Sequence, residues 1–263
     1  MTVTMVFDLE TVPDVETGRR LLDQPEGTDA EVVEALLARR AAKTGTPVGA
    51  STFLPHHLQR IVAISVVVAT QEWVKVWSLG DLESDEAEIL LRFFEGIQRY
   101  TPTLVSWNGS GFDLPVLHYR SLLRGVTAAR YWETGEHDQS FKWNNYLGRY
   151  HQRHTDLMDI LANYQRAGAP LDEMAIMLGF PGKMGMHGSE VWEKFQQGNL
   201  QSIRDYCETD VLNTYLIYLR FQLIRGQKDK KQLQLEEDRL KSYLLGTGKQ
   251  HLVNFVEEWQ KHQ

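Results

Sequence analysis

The first part of the chain contains apolar runs with the spacing of β-strands. Residues 3–7 are apolar, rich in β-branched side chains and followed by Asp8, which is typical of a central strand. Arg60–Thr70 and Glu72–Leu79 are two further apolar runs, and the junction between them is short enough for a β-hairpin. Thr103–Trp107 predicts a fourth, shorter strand.

Apolar residues recur at helical spacing over most of the remaining chain. In Asp81–Tyr100 they return every three or four residues, which places them on one buried face, and Thr101-Pro102 ends the segment. Further helices are predicted at Asp29–Arg40, Leu114–Leu123, Asp156–Tyr164, Leu171–Leu178, Val191–Gln196 and Leu200 to about Ile224. Strands that come early and helices that come late predict an α/β architecture in which helices pack on a mixed sheet.

The element order predicts one main domain with additions. Residues 1–225 carry the predicted sheet and its helices, interrupted by insertions near 15–55 and 128–153. Residues 226–263 are predicted to form a helical C-terminal extension, in which a run of lysines is followed by a run of acids. Such a charge run favours a solvated helix over a binding patch.

The charge balance narrows the range of functions. The 263 residues include 28 basic and 35 acidic side chains, for a net charge of −7, which argues against a protein that coats nucleic acid through a broad basic surface.

Cys207 is the single cysteine, so an intramolecular disulfide is excluded. No apolar run approaches the roughly 18 to 20 residues of a membrane span, and the N-terminus lacks the basic region of a signal peptide. We therefore expect a cytoplasmic protein that does not bind membranes.

Two acidic residues stand at the end of the first predicted strand. Asp8 and Glu10 are separated by one residue, so their side chains point to the same face of the strand. Two such carboxylates can hold a divalent metal ion, but a solvated strand end has the same spacing, and pairs of this kind arise by chance. The pair becomes informative only together with further acids.

Two later segments supply those acids. Asp113 lies between a predicted strand and a predicted helix, where an aspartate is also expected as a helix N-cap. Tyr206 and Asp210 are four residues apart on the last long helix and therefore share a face, although an acid beside an apolar stripe also marks an amphipathic boundary. The order of the acids along the chain, from first strand to strand-helix turn to late helix, allows them to converge at one end of a sheet.

This set of residues resembles the DEDDy branch of the DnaQ-like 3′-5′ exonucleases. The three motifs are Phe7-Asp-Leu-Glu-Thr11, Asn108-Gly-Ser-Gly-Phe-Asp113 and Tyr206-Cys-Glu-Thr-Asp210. The second motif is most similar to that of the proofreading exonuclease domain of family B DNA polymerases. The similarity extends from Val3 to about Arg220, and the chain is too short to carry a polymerase as well, so a stand-alone exonuclease is expected. The resemblance implies a ribonuclease H-like fold with a five-stranded mixed sheet flanked by helices.

The resemblance also implies a catalytic role for five residues. Two divalent ions, Mg²⁺ or Mn²⁺, would be held by Asp8, Glu10, Asp113 and Asp210, with Asp8 bridging both ions; carboxylate oxygens suit either metal. Two ions about 3.5 to 4 Å apart can stabilise the attacking and the leaving oxygen of a phosphodiester. Tyr206 would orient the attacking water rather than remove its proton.

The substrate that the resemblance implies is a single-stranded 3′ end of DNA, or of RNA, cleaved to nucleoside monophosphates. The backbone around Leu9 and Thr11 meets the terminal 3′-hydroxyl in such enzymes. Asn108 and Phe112 lie where the last nucleotides would hydrogen-bond or stack, a mode that tolerates any sequence. Lys183 is either a phosphate contact or a solvated loop lysine.

Two histidines and an acid are close together in His151-Gln-Arg-His154-Thr-Asp156. Nitrogen and oxygen ligands of this kind suggest a zinc site, but no fourth ligand accompanies them at a recognisable spacing. Similar exonucleases often carry an acid at the position of Asp156, before a helix. We therefore favour a role for Asp156 as a helix cap or as a support for the catalytic acids.

Two other functions are compatible with the sequence. One is a catalytically inactive module on the same fold that binds nucleic acid or a protein partner. The other is a phosphoesterase that acts on nucleotides or very short oligonucleotides, which a site closed by the insertion at 15–55 would favour. The presence of all four acids and of Tyr206 favours the exonuclease, because a non-catalytic module does not need them.

Overall fold

A single mixed sheet forms the centre of the protein, which is described here from a computed structural model over residues 3–45, 53–165 and 168–261. The strands are β1 (Thr4–Pro13), β2 (Gln59–Ala69), β3 (Val74–Ser78), β4 (Thr103–Ser106) and β5 (His154–Asp156). Their order in the sheet is β3-β2-β1-β4-β5. The pairs β1/β2 and β2/β3 are antiparallel, whereas β1/β4 and β4/β5 are parallel. The expected five-stranded mixed sheet is therefore confirmed.

Helices cover both faces of the sheet. In the described part of the chain they are α1 (Val15–Leu22), α2 (Asp29–Thr44), α3 (Glu86–Tyr100), α4 (Asp113–Arg124), α5 (Ala129–Trp132), α6 (Leu157–Leu161), α7 (Leu171–Met177), α8 (Val191–Gln196), α9 (Leu200–Ile224), α10 (Lys230–Gly246) and α11 (Gln250–Lys261). Short 3₁₀ turns occupy His56–Leu58, Gln139–Phe141 and Gly188–Glu190. None of the described helices combines the length and the hydropathy that crossing a membrane requires.

The sheet separates two apolar layers, because successive side chains of a strand point to opposite faces. Val6 and Val105 belong to the layer formed with α9 and the C-terminal helices. Phe7 and Leu104 belong to the layer formed with α3 and α4. Helix α9 packs against β1 and β2 and is buried along most of its length. This packing brings the third motif, on α9, next to the first motif, on β1.

Strand β1 is longer than the sequence predicts. It continues to Pro13, so Asp8 and Glu10 lie within the strand rather than at its end. Their backbones pair with Ser65 and Ala63 of β2, and the pairing shifts by one residue after Glu10. This bulge redirects the strand just beyond the acids. A charge pattern alone cannot show such a continuation, because the neighbouring strand supplies the hydrogen bonds that hold the acidic segment extended.

Three other elements differ from their predictions. Residues His154–Asp156 form the fifth strand, whereas the sequence places the start of a helix at Asp156. A strand of three residues is too short to show a periodic pattern. The following helix, α6, ends at Leu161 rather than at Tyr164. Helix α3 begins only at Glu86, because Asp85 caps it by accepting a hydrogen bond from the Glu88 amide.

The insertion near 15–55 forms a small helical unit, of which residues 46–52 lie outside the described part. It contains the predicted helix α2, which extends to Thr44, and the unpredicted helix α1. Asp14 caps α1 and also pairs with the fully buried guanidinium of Arg120, which in turn binds Glu86 at 2.6 Å. This buried ion network attaches the insertion to α3 and α4.

The C-terminal segment packs on the main core instead of forming one solvated helix. Helices α10 and α11 bury Leu240, Leu244, Phe255 and Trp259 in the same apolar layer as α9. The charged residues that suggested a solvated helix lie between these apolar positions and hide their spacing. The boundary placed at residue 226 stays a prediction.

Removal of the Trp259 side chain tests this packing. Trp259 is fully buried, so Trp259→Ala is expected to lower the free energy of unfolding by about 3 to 5 kcal/mol. Trp143→Ala is the matched control, because Trp143 is 80% exposed and its removal is expected to change stability by less than about 0.5 kcal/mol. Urea unfolding measures both. Equal effects of the two substitutions would show that the C-terminal helices do not stabilise the core.

Candidate active site

Strand β1 presents two acids toward α9. One ligand atom each of Asp8, Glu10 and Cys207 lies within 4.8 Å of the other two. The Cys207 Sγ is 3.8 Å from the Asp8 Oδ2 and 3.5 Å from the Asp8 carbonyl oxygen. Burial and the charge of Asp8 raise the pKa of the Cys207 thiol, which therefore keeps its proton and donates to Asp8. Cys207 thus orients Asp8, a contact that the sequence analysis missed because it depends on how α9 meets β1.

Helix α9 brings Tyr206 and Asp210 to the same place. The two side chains lie close enough to shift each other's pKa, as expected for residues four apart on one helix face. The Asp210 Oδ1 is buried and has no hydrogen-bond partner. Burial raises the pKa of Asp210 to about 6, although the Tyr206 hydroxyl and the charge of Lys183 act in the opposite direction. A buried carboxylate oxygen without a partner is rare, and it calls for an explanation.

A tight turn between β4 and α4 positions Asp113. The Asn108 residue has a φ of +61°, and a Cβ added to Gly111 would lie 2.4 Å from its side-chain oxygen. The Asp156 carboxylate accepts hydrogen bonds from the backbone amides of Asn108 at 2.9 Å and Ser110 at 2.8 Å. These hydrogen bonds fix the conformation of the turn. Helix α4 therefore starts at Asp113, and the Asp113 side chain faces the other acids.

Asp156 also caps α6 by accepting from the Asp159 amide at 3.3 Å, so the geometry agrees with the supporting role expected for it. The two neighbouring histidines have other partners. The His154 Nε2 is 2.8 Å from the Ser106 Oγ, and the His151 Nδ1 is 3.0 Å from the Asn145 amide nitrogen. Among the described residues, these side chains form no cluster with the spacing of a metal site.

Negative charge accumulates among the four acids. Burial, followed by the charges of the other acids, raises the pKa values of Asp8 and Glu10 well above their usual range. Burial also raises the pKa of Asp113 to about 7. Asp113 and Asp210 lie outside the tight group around Asp8 but close enough to raise its pKa. The exposed side chain of Lys183 lowers the pKa values of Glu10 and Asp210, and so compensates part of this repulsion.

The donor atoms fit a divalent metal ion. Carboxylate oxygens are hard ligands that suit such ions, and the partnerless Asp210 Oδ1 supplies an oxygen that is free to bind one. A bound cation would also remove the repulsion that raises the pKa values of the acids. The four acids and Tyr206, predicted from distant parts of the sequence, are thus brought together in a candidate metal-binding site.

The predicted substrate-binding residues lie beside this site, and each makes different contacts. The Leu9 amide lies close enough to the carboxylates of Asp8 and Asp113 to lower their pKa values. The Thr11 hydroxyl donates to the Gln59 side chain at 3.1 Å. The ring of Phe112 is partly exposed at the N-cap of α4.

The sequence of residues 51–259 matches a protein family described as "Predicted 3'-5' exonuclease related to the exonuclease domain of PolB". This match covers most of the chain, including the second and third motifs, and the chain belongs to this family. The expected resemblance to the exonuclease domain of family B DNA polymerases is thereby confirmed.

A curated polymerase and a solved polymerase structure are also similar to parts of the chain. Over 145 residues, or 53% of this chain, the sequence is 26% identical to the catalytic subunit of DNA polymerase epsilon from Saccharomyces cerevisiae, of which the match spans 6%. The fold is similar to that of the family B DNA polymerase from the hyperthermophilic archaeon Pyrobaculum calidifontis. That match has a TM-score of 0.50 at 16% identity and covers 85% of this chain and 25% of the polymerase. The expected ribonuclease H-like fold is confirmed, and the chain spans only a small part of either polymerase.

The burial of Asp210 predicts a stabilising substitution. The folded-state pKa of Asp210, about 6, is above the unfolded value of about 3.9, so its charge costs stability once the pH rises through this interval. In the absence of metal, Asp210→Asn is therefore expected to increase the free energy of unfolding by about 1 to 3 kcal/mol near pH 8, and to have little effect near pH 4.

Urea unfolding in EDTA at both pH values measures this difference. Glu257→Gln removes a carboxylate from an exposed position on α11 and serves as the control, with no pH-dependent gain expected. A destabilised Asp210→Asn protein near pH 8 would show that the buried charge of Asp210 does not cost stability.

Proposed function

We propose that the protein is a metal-dependent 3′-5′ exonuclease of the DEDDy type, which removes nucleoside monophosphates from single-stranded 3′ ends of DNA or RNA. The observation that carries the proposal is the convergence of four carboxylates, three of them buried and one with a partnerless oxygen, beside the hydroxyl of Tyr206. The family to which the chain belongs supports a nucleic-acid substrate and this direction of hydrolysis.

Asp8, Glu10, Asp113 and Asp210 are proposed to hold two ions of Mg²⁺ or Mn²⁺. When bound, such ions supply positive charge for the attacking and the leaving oxygen of the phosphodiester. The protein contributes the arrangement of the ligands. Cys207 orients Asp8, and the turn held by Asp156 positions Asp113.

Tyr206 is proposed to orient the attacking water. Burial, followed by the charges of Asp210 and Glu10, raises the pKa of Tyr206 above its usual range, so its Oη keeps the proton at neutral pH. The Oη lies next to the Asp210 carboxylate, and a lone pair of this oxygen can accept a hydrogen bond from water. Tyr206 therefore fixes the direction of the water and does not act as the base.

The end of the substrate is proposed to lie across β1 and the turn before α4. The backbone near Leu9 and Thr11 would contact the terminal 3′-hydroxyl. The Phe112 ring offers a stacking surface and Asn108 a hydrogen-bonding side chain for the last nucleotides, neither of which selects a base. A frayed or single-stranded end fits this arrangement better than a duplex, because the last bases must leave the stack.

A polarity assay tests the proposed function. Matched DNA and RNA oligonucleotides with a 5′ label are incubated with the protein and Mg²⁺ or Mn²⁺, beside a blunt duplex and an EDTA control. The expected products are a ladder of 5′-labelled strands shortened from the 3′ end, formed faster from single strands and absent in EDTA. Binding without shortening in either metal would instead identify a catalytically inactive module. Full activity in EDTA, or release of nucleotides from the 5′ end, would also overturn the proposal.

Two substitutions on α9 separate the proposed roles of its residues. Tyr206→Phe removes only the hydroxyl, so turnover is expected to fall by roughly 10² to 10⁴ while Mn²⁺ affinity is kept. Asp210→Asn removes a metal ligand, so Mn²⁺ affinity and turnover are expected to fall together. Single-turnover kinetics and calorimetric titration with Mn²⁺ measure both quantities.

Tyr100→Phe is the control for the tyrosine substitution, because Tyr100 is an exposed residue at the end of α3. It is expected to have wild-type turnover. Wild-type turnover in Tyr206→Phe as well would show that Tyr206 only packs in the core, and the tyrosine-type assignment would then be wrong.

A further inference from the structure

A groove with a volume of about 780 Å³ lies beside the acids, between α2, the 3₁₀ turn His56–Leu58 and α4. We call it the α2 groove. Its lining includes Asn108, Gly111 and Phe112 of the turn that precedes Asp113. The groove is therefore continuous with the candidate active site, and its other wall comes from the insertion near 15–55.

Aromatic rings line the α2 groove. The Phe112 ring centroid lies 5.2 Å from that of Phe53 and 5.5 Å from that of His56, and the His57 ring lies 6.0 Å from Tyr119. Phe53 is 53% exposed and Tyr119 is 47% exposed. Large aromatic side chains that remain this exposed beside one another provide flat surfaces on which a ligand can stack.

Three cations of α2 line the same groove, namely Arg39, Arg40 and Lys43. The Arg39 Nη1 donates to the Leu21 carbonyl oxygen at 2.9 Å, which fixes its guanidinium in place. Arg40 and Lys43 form no ion pair with any residue in the described ranges. In a chain with a net charge of −7, this side of α2 is a local region of positive charge.

We propose that the α2 groove binds the single-stranded substrate upstream of its 3′ end, with bases stacked on Phe53 and phosphates held by Arg40 and Lys43. This inference rests on the proposed exonuclease function, because the groove adjoins the acids at Phe112. Aromatic surfaces next to cations are the features by which proteins hold single strands without selecting a sequence. An acidic peptide would use the cations but would gain little from the exposed rings.

In this proposal, the insertion near 15–55 increases the affinity for longer substrates and takes no part in the hydrolysis itself. The last nucleotides contact β1 and the turn before α4, whereas nucleotides further along the strand reach the α2 groove. Affinity is therefore expected to rise between a tetranucleotide and a dodecanucleotide. The part of this gain that comes from phosphates should depend steeply on salt, because each phosphate contact releases counterions.

Fluorescence anisotropy with 5′-fluorescein oligodeoxynucleotides tests the proposal on the full chain, in Ca²⁺ to limit cleavage. The double substitution Arg40→Gln and Lys43→Gln is compared with Lys230→Gln and Lys231→Gln, which removes the same charge from exposed positions on α10. For the dodecanucleotide, the slope of log K against log salt is expected to fall by about 1.4 in the groove variant and to stay unchanged in the α10 variant. The affinity for the tetranucleotide is expected to be the same in both variants as in the wild type.

Phe53→Ala tests the stacking surface separately. It is expected to weaken binding of the dodecanucleotide by about tenfold or more, with little change for the tetranucleotide. Equal salt slopes in the two charge variants, together with unchanged affinity in Phe53→Ala, would overturn the proposal. It would also be overturned if a poly-glutamate peptide bound as tightly as the dodecanucleotide with the same dependence on Arg40 and Lys43.

The outcome is independent of the test of the exonuclease itself. If the wild type shortens oligonucleotides but all groove variants behave like the wild type with both lengths, the groove proposal fails and the exonuclease stands. If no metal supports shortening but binding of the long strand depends on the groove residues, the exonuclease fails and the groove is still a site for single strands.

Discussion

The crowding of four carboxylates, of which Glu10, Asp113 and Asp210 are buried and Asp8 is partly buried, is the constraint on which the rest of the structure depends. Burial raises the pKa values of all four acids, and the charges of the neighbouring acids raise those of Asp8 and Glu10 further. Such a cluster persists only if the surrounding fold fixes it, and it becomes favourable when cations bind. Without bound metal, the site therefore lowers the stability of the folded protein.

The elements around the site can be understood from this requirement. Pairing with β2, which resumes beyond the bulge after Glu10, keeps β1 extended past the acids, and the apolar layer beneath α9 anchors this helix. Asp156 closes the turn that carries Asp113, and Cys207 donates to Asp8. None of these supporting groups needs to touch a substrate. Their effect is to hold the acids where repulsion alone would separate them.

The sequence predicts the local motifs and the fold class better than it predicts the contacts between distant segments. Asp8, Glu10, Asp113, Tyr206 and Asp210 could be found because their motifs are short and local, and α9 has the predicted bounds because its apolar positions are continuous. The structural features that the sequence did not predict depend on contacts between distant segments, so no local sequence pattern indicates them.

The missed features share this origin. Strand β5 has only three residues and is extended because β4 pairs with it. The apolar face of α11 is hidden among charged residues until Phe255 and Trp259 pack against the core. The contact between Cys207 and Asp8, and the row of rings beside Phe112, likewise exist only once the chain has folded.

Anomalous diffraction from crystals of the protein grown in Mn²⁺ tests the central claim most directly. If the carboxylate cluster is a site for divalent cations, the anomalous map will show manganese enclosed by Asp8, Glu10, Asp113 and Asp210, with Asp210 Oδ1 among its ligands. A map without manganese at these acids, although the metal is in large excess, would contradict the account.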